Sequence, residues 1–237
     1  MTLLAHAIAP TAAPAPAMTG LRDAPLRRIA DSAGALGLWA TAWDGAAGPL
    51  GRDDLLRHHA IVEAIAASGP CLPVRFGSVV ADEAAAVGLL DGRATSFAAA
   101  LVRVAGRCEL AVTLLWQGPG IAAGAVPVAS GPGTPPGRRF LEARRAALAV
   151  TAGRQDEADA LAAELVSLLG SLGIDRADVR HETCPTAEVA LSLAVLVPGP
   201  RAAEVKDAVN ARSGSRVDVR GVVSGPWPAY SFTAEIG

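Results

Sequence analysis

The chain has 237 residues, with 21 Lys and Arg against 23 Asp and Glu; a net charge of −2 offers no general attraction for phosphate backbones or anionic lipid, which disfavours a nucleic-acid partner. Hydrophobic residues make up 51% but aromatics only 4%, so the apolarity is carried by alanine and small aliphatics, and a thinly packed core with some apolar surface left for partners is expected. The most apolar stretches, Val189 to Val197 and Leu110 to Trp116, fall well short of the roughly 18 residues that a membrane-spanning helix needs.

Thr2 to Ala9 is short, apolar and uncapped, and reads as an opening strand followed by a Pro- and Ala-rich connector, Pro10 to Gly20. The start lacks a basic segment before an apolar core, and the Ala-Pro run at Ala9 to Ala17 breaks any such core, so no secretory signal is expected and a cytoplasmic location follows. Leu26 to Trp43 is extended, interrupted at Ser32-Ala33-Gly34, with alternation over Leu36, Leu38, Ala40 and Ala42 that marks a strand. Gly51-Arg52-Asp53-Asp54 supplies capping carboxylates to a helix whose expected inner face is Leu55, Leu56, His59, Val62 and Ile65, closed by Ser68-Gly69-Pro70.

Cys71 to Val80 is strand-like, with Pro73 placing it at an edge or bulge. Asp82 caps a short helix over Glu83 to Leu90, a second helix runs from Thr95 to Val104, and a strand covers Glu109 to Gln117. Gly118 to Gly137 is dense in glycine and proline and is expected to be a linker. After Gly137, helical spacing from Phe140 to Leu169 predicts one long bent helix or a helical hairpin. Strands near Asp178 to Glu182 and Glu188 to Val197, a helix from Arg201 to Ala211 and a strand Arg216 to Val223 follow. The expected fold is therefore α+β: two small ferredoxin-like α/β sandwich domains, residues 1–117 and 137–237, joined by a linker at 118–136 and ending in an extended tail.

No enzyme signature emerges. Gly118-Pro119-Gly120 and Gly131-Pro132-Gly133 lack the G-x-G-x-x-G and P-loop patterns, and their prolines remove amides that would cradle phosphate. His59 and Glu63 share a helix face, but no second ligand pair follows, so a hydrogen-bonded structural histidine is the better reading. Cys71 beside His58 or His59 has no evident orienting group for a nucleophile. Cys71, Cys108 and Cys184 form neither a C-x-x-C pair nor an even set, and read as ordinary thiols. The expectation is no catalytic residue, no metal and no cofactor.

Two segments stand out. Leu72-Pro73-Val74-Arg75-Phe76-Gly77-Ser78-Val79-Val80, preceded by His59-Ala60-Ile61-Val62, resembles the H-x-x-V and P-hydrophobic-R-F-G segment of the GvpF/GvpL family of gas vesicle accessory proteins. Gly225-Pro226-Trp227-Pro228-Ala229-Tyr230-Ser231-Phe232 resembles that family's GPWPPYSF ending, with Ala229 where a second proline is usual. Gly106-Arg107-Cys108-Glu109 and Gly137-Arg138-Arg139-Phe140-Leu141 match further family positions in the right order.

The resemblance implies a non-enzymatic assembly factor or minor component of gas vesicles that binds the small hydrophobic shell protein and other accessory vesicle proteins, located at the vesicle and in the cytoplasm. A small-molecule sensor or dimeric enzyme on ferredoxin-like domains is the alternative, which a saturable ligand in a thermal-shift screen would favour. Arg75, Phe76, Gly77, Trp227, Pro228, Tyr230 and Phe232 are the candidate structural or interaction residues. Arg75 is expected to pair with a carboxylate and Gly77 to permit a tight bend. Trp227, Tyr230 and Phe232, three of the nine aromatic residues, are expected to dock into a groove, of their own chain in preference to a partner's, the tail being an extended path without helix or sheet.

Overall fold

The structure is a computed structural model that describes residues 1–44, 48–117, 136–183, 186 and 188–233, with only the backbone described for 136–152. The chain divides into two compact units, Met1–Glu109 with Pro226–Gly237, and Leu110–Gly225. The α+β class is as expected, but the division runs elsewhere: the tail belongs to the first unit, and the expected linker lies almost wholly outside the described residues.

The first unit is built on β1 (Leu3–Pro10), which pairs antiparallel with β3 (Leu36–Ala42) on one side and with β4 (Leu72–Pro73) and β5 (Val79–Val80) on the other. β2 (Leu26–Ala30) adds to the far side of β3, giving the order β2-β3-β1-β4. These are the strand order and directions of a ferredoxin-like sheet, except that the β1-to-β2 crossover is the Pro-rich connector and not a helix. Leu3, Leu4, Ala7, Ile8 and Ala9 of β1 are all buried, so it is covered on both faces, which explains its unbroken apolar run. The β2–β3 hairpin is closed by Asp31, whose carboxylate accepts from the Ala35 and Leu36 amides at 2.7 and 3.0 Å, with Gly34 at φ +71°. Pro73 sits on the edge strand β4, where a missing N–H leaves no gap in the sheet.

Helix α1 (Arg52–Ala67) follows β3. Its buried face is Asp54, His58, Ile61, Val62 and Ile65, while Leu55 and Leu56 are exposed, so the face expected from the leucines is rotated. Two polar residues point inward because each finds partners there. Asp54 accepts from Arg22 Nε and Nη2 at 3.0 and 2.8 Å and from the Gly51 amide at 2.9 Å. That fork holds the Asp54 carboxyl below its ordinary range. Helices α2 (Glu83–Gly92), capped by Asp82 onto the Ala85 amide at 2.8 Å, and α3 (Ala94–Val104) complete the unit, burying Leu90, Phe97, Leu101 and Val104.

The second unit runs β6 (Arg107–Trp116, entering at Leu110), α4 (Pro136–Ser171), β7 (Val179–Glu182), β8 (Val189–Pro198), α5 (Ala202–Gly214) and β9 (Val219–Trp227, leaving at Gly225). Its sheet order is β7-β8-β6-β9, so both the element sequence and the order are those of a βαββαβ sandwich. Leu161, Leu165 and Leu169 of α4 and Val205 and Val209 of α5 fall at four-residue spacings and are buried, as are Leu110, Val112 and Leu114 alternating along β6. Cys184 lies outside the described residues. No single helix among the described residues is long and apolar enough to cross a membrane. α2 and α3 reach that composition only as a pair bent by 75°.

Candidate functional site

The two sequence segments are carried by adjacent histidines of α1 that project to different surroundings. His58 is buried and faces the β4–β5 connection; His59 is half-buried and faces the C-terminal tail. Neighbouring positions on a helix diverge by about 100°, so one dipeptide serves both segments.

On the His58 side, the Arg75–Phe76–Gly77–Ser78 segment is a β-turn. The Ser78 amide donates to the Arg75 carbonyl at 3.1 Å, and Gly77 holds φ +84°. A positive φ at the third turn position is open to glycine at little cost, which is the bend expected there. Phe76 sets its ring edge-on to His58, with centroids 5.4 Å apart. Arg75 departs from expectation: it is exposed, and among the described residues its guanidinium has no hydrogen bond or ion pair, because the turn carries it outward.

The His59 side is aromatic. The Trp227 ring packs edge-on at 5.1 Å and the Tyr230 ring lies tilted at 6.1 Å, while the Tyr230 hydroxyl is 3.3 Å from His59 Nδ1. His59 Nε2 lies 3.4 Å from Glu63 Oε1. Burial pushes the Tyr230 phenol up, so it stays neutral and donates to the imidazole. Tyr230 also packs on the cluster of Ile61, Val62, Ile65 and Cys71.

The tail is not wholly extended. β9 continues through Pro226 to Trp227, and residues Tyr230–Phe232 close into a 3-10 turn in which the Phe232 amide donates to the Ala229 carbonyl at 3.2 Å. Pro226 is exposed on a sheet-edge strand, where its missing donor does no harm. Phe232 is buried, with the Arg103 guanidinium 5.5 Å above its ring. Glu109, buried at the start of β6, accepts from both the Ser231 amide at 2.7 Å and the Ser231 hydroxyl at 2.8 Å. This two-point clamp ties the tail to the unit by charge-assisted bonds. In the sequence Glu109 is one position of a G-x-x-E match, and nothing in its local context pairs it with a serine 122 residues away. Pro228 and Ala229 line an open cleft of about 250 Å³ with Ala66, Cys71, Val104 and Gly106.

The site offers little activated chemistry. Burial pushes the Cys71 thiol up to about 12, which keeps it protonated and a poor nucleophile. His58 spends its two nitrogens on His6 and the Val74 carbonyl. The arrangement is one of ring packing and buried hydrogen bonds that fix two segments onto one helix.

The family model of the gas vesicle synthesis protein GvpL/GvpF matches residues 3–234. Two crystal structures are similar in fold: the gas vesicle protein GvpF from Anabaena sp. PCC7120, with TM-score 0.73, 16% identity, and 100% of this chain and 99% of that one covered; and GvpF from Microcystis aeruginosa, with TM-score 0.70, 16% identity and 98% of each chain covered. No curated protein sequence matches the chain. With a match spanning nearly its whole length, the chain belongs to the GvpL/GvpF family of gas vesicle synthesis proteins.

Proposed function

We propose that this protein acts in gas vesicle assembly in the cytoplasm by binding the small hydrophobic shell protein, as a chaperone-like binder or as a minor component of the vesicle, alongside other accessory vesicle proteins. The observation that carries this reading is the family match over residues 3–234. Two features of the first unit support it. Leu55, Leu56, Val79 and Val102 leave large apolar side chains in solvent, and Arg75 stands exposed beside Phe76 with no partner among the described residues. Apolar surface and a free guanidinium are the chemistry that a hydrophobic protein partner with an acidic group would use.

Co-expression of the tagged full-length protein with the shell protein tests the reading. The two should co-purify, and Arg75→Ala should reduce the shell protein recovered several-fold while leaving the thermal melt unchanged. A folded wild-type protein that recovers no shell protein overturns the proposal.

A further inference from the structure

His6 is an unusual residue to find in the middle of a buried strand. The register of β1 against β3 shifts between Ala5 and Ala7, so His6 is the extra residue of a β-bulge, and its fully buried side chain is re-aimed inward. Its Nδ1 lies 2.9 Å from His58 Nδ1, and its Nε2 lies 2.7 Å from Thr41 Oγ1. Thr41 Oγ1 accepts from the Leu21 amide at 3.2 Å, and His58 Nε2 lies 3.0 Å from the Val74 carbonyl.

These contacts settle the proton positions. A carbonyl can only accept, so His58 carries its proton on Nε2 and, when neutral, accepts at Nδ1. His6 must then donate from Nδ1, accept at Nε2 from the Thr41 hydroxyl, and leave Thr41 Oγ1 to accept from Leu21. The result is a closed, one-directional chain of hydrogen bonds from Leu21 to Val74 in which every nitrogen is used once. A further proton on His58 would bring two N–H groups face to face, and one on His6 would oppose the Thr41 hydroxyl. Either therefore forces the chain to rearrange.

Among the described residues, no carboxylate bonds to either imidazole to receive the charge. The ionisable groups on the elements that make these contacts are Arg52, Asp53, Asp54, Arg57, His59 and Glu63 on α1, Arg22 and Asp23 in the 21–23 turn, and Cys71 and Arg75 around β4; none of them hydrogen-bonds to His6 or His58, and Glu63 faces His59. Asp54 is committed to Arg22 and Gly51, Arg57 to Thr19 and Gly20, and Cys71 is a buried thiol. His59, beside His58, repels a second positive charge.

We infer that the His6–His58 pair is an acid-sensitive latch that holds the Arg75–Phe76–Gly77 turn on β1, so that acidification frees the segment from Leu72 to Val80. That segment buries Leu72 and Val74, but few hydrogen bonds hold it. Besides two short strand pairings, its ties to β1 are the Val74 amide to the His6 carbonyl at 2.8 Å and the Ala5 amide to the Ser78 carbonyl at 3.0 Å, and the His58–Val74 bond anchors it to α1. Opening it exposes the imidazoles to water, where they titrate normally.

The direction follows from linkage. Burial holds His6 down to about 3 and lowers His58, so the closed state stays unprotonated while the open state takes up protons below about 6.5. The latch is intact above that pH and weakens as pH falls through it, by about tenfold in the opening equilibrium per imidazole at pH 5.5.

Hydrogen exchange on the full-length protein, corrected for intrinsic rates, tests this at pH 7.5 and 5.5. The amides of Ala5 and Val74 should lose protection about tenfold or more at the lower pH, while those in the β7–β8 pair of the second unit keep theirs. The variant His58→Gln can still donate to Val74 and accept from His6 but removes one of the two buried imidazoles, so its loss of protection at pH 5.5 should be about tenfold smaller than that of the wild type; His181→Gln, on β7 of the second unit, should leave the response unchanged. If His58→Gln does not fold, imidazole NMR of the wild-type protein decides instead. His6 and His58 should keep the chemical shifts of neutral imidazoles from pH 7.5 to 5.5 in the closed protein. Unchanged protection at Ala5 and Val74, equal loss in both units, or His6 and His58 protonating near pH 6.5 in the closed protein would each overturn the proposal.

Discussion

Replacing Phe232 by alanine is expected to destabilise the first unit by about 3–5 kcal/mol, the range found for large aromatic side chains truncated in a core. The ring is 3% exposed and sits under the Arg103 guanidinium, so its removal leaves a cavity and strips one face from a cation. Removing residues from Pro228 onward should cost at least as much. The truncation removes the buried Phe232 and Ala229 together with the two bonds from Ser231 to the Glu109 carboxylate. Urea denaturation followed by circular dichroism checks both. An unchanged midpoint for Phe232→Ala would mean that the tail is not packed as described. An unchanged midpoint with lost shell-protein binding would make it a docking element for a partner.

The second large effect is expected from one added methyl group. A Cβ on Gly20 would lie 2.1 Å from Thr41 Oγ1 and 3.0 Å from Thr41 Cγ2. Gly20 has a negative φ of −75°, outside the left-handed region that favours glycine, so the loss is chiefly steric. Gly20→Ala must push the Thr41 hydroxyl away from His6 and from the Leu21 amide. Overpacking together with a broken buried hydrogen bond is expected to cost about 2–4 kcal/mol. The check is a double-mutant cycle: in a Thr41→Ala background Gly20→Ala should cost much less, because the clashing atom is gone. Equal costs in the two backgrounds would rule out the clash as the cause.

Much of the secondary structure was legible in the sequence because capping, alternation and glycine placement agreed locally. Asp82 caps α2, Asp31 and Gly34 close the hairpin, and the leucines of α4 keep helical spacing into the second unit. The glycine bend at Gly77 was likewise readable from residue type and neighbours. What failed did so where a buried polar group has a distant partner. Leucine spacing put Leu55 and Leu56 inside α1, whereas Asp54 and His58 take those places through Arg22, His6 and Val74.

The bulge at His6 depends on how two strands register, which no local pattern encodes. Glu109 and Ser231 meet only because the chain end returns to the first unit, and the expectation of a tail without secondary structure missed that β9 carries it as far as Trp227. Recognition of the family rested on the order of short segments along the chain. The structure adds that the first and last of them meet on α1, through His58 and His59.

A role in building gas vesicles is tested by vesicle yield in cells carrying a complete vesicle gene cluster from which this gene alone has been deleted. Complementation with the wild-type chain should restore vesicles visible by electron microscopy, and complementation with the chain truncated at Pro228 should not. Normal vesicles in the uncomplemented deletion strain would contradict the claim.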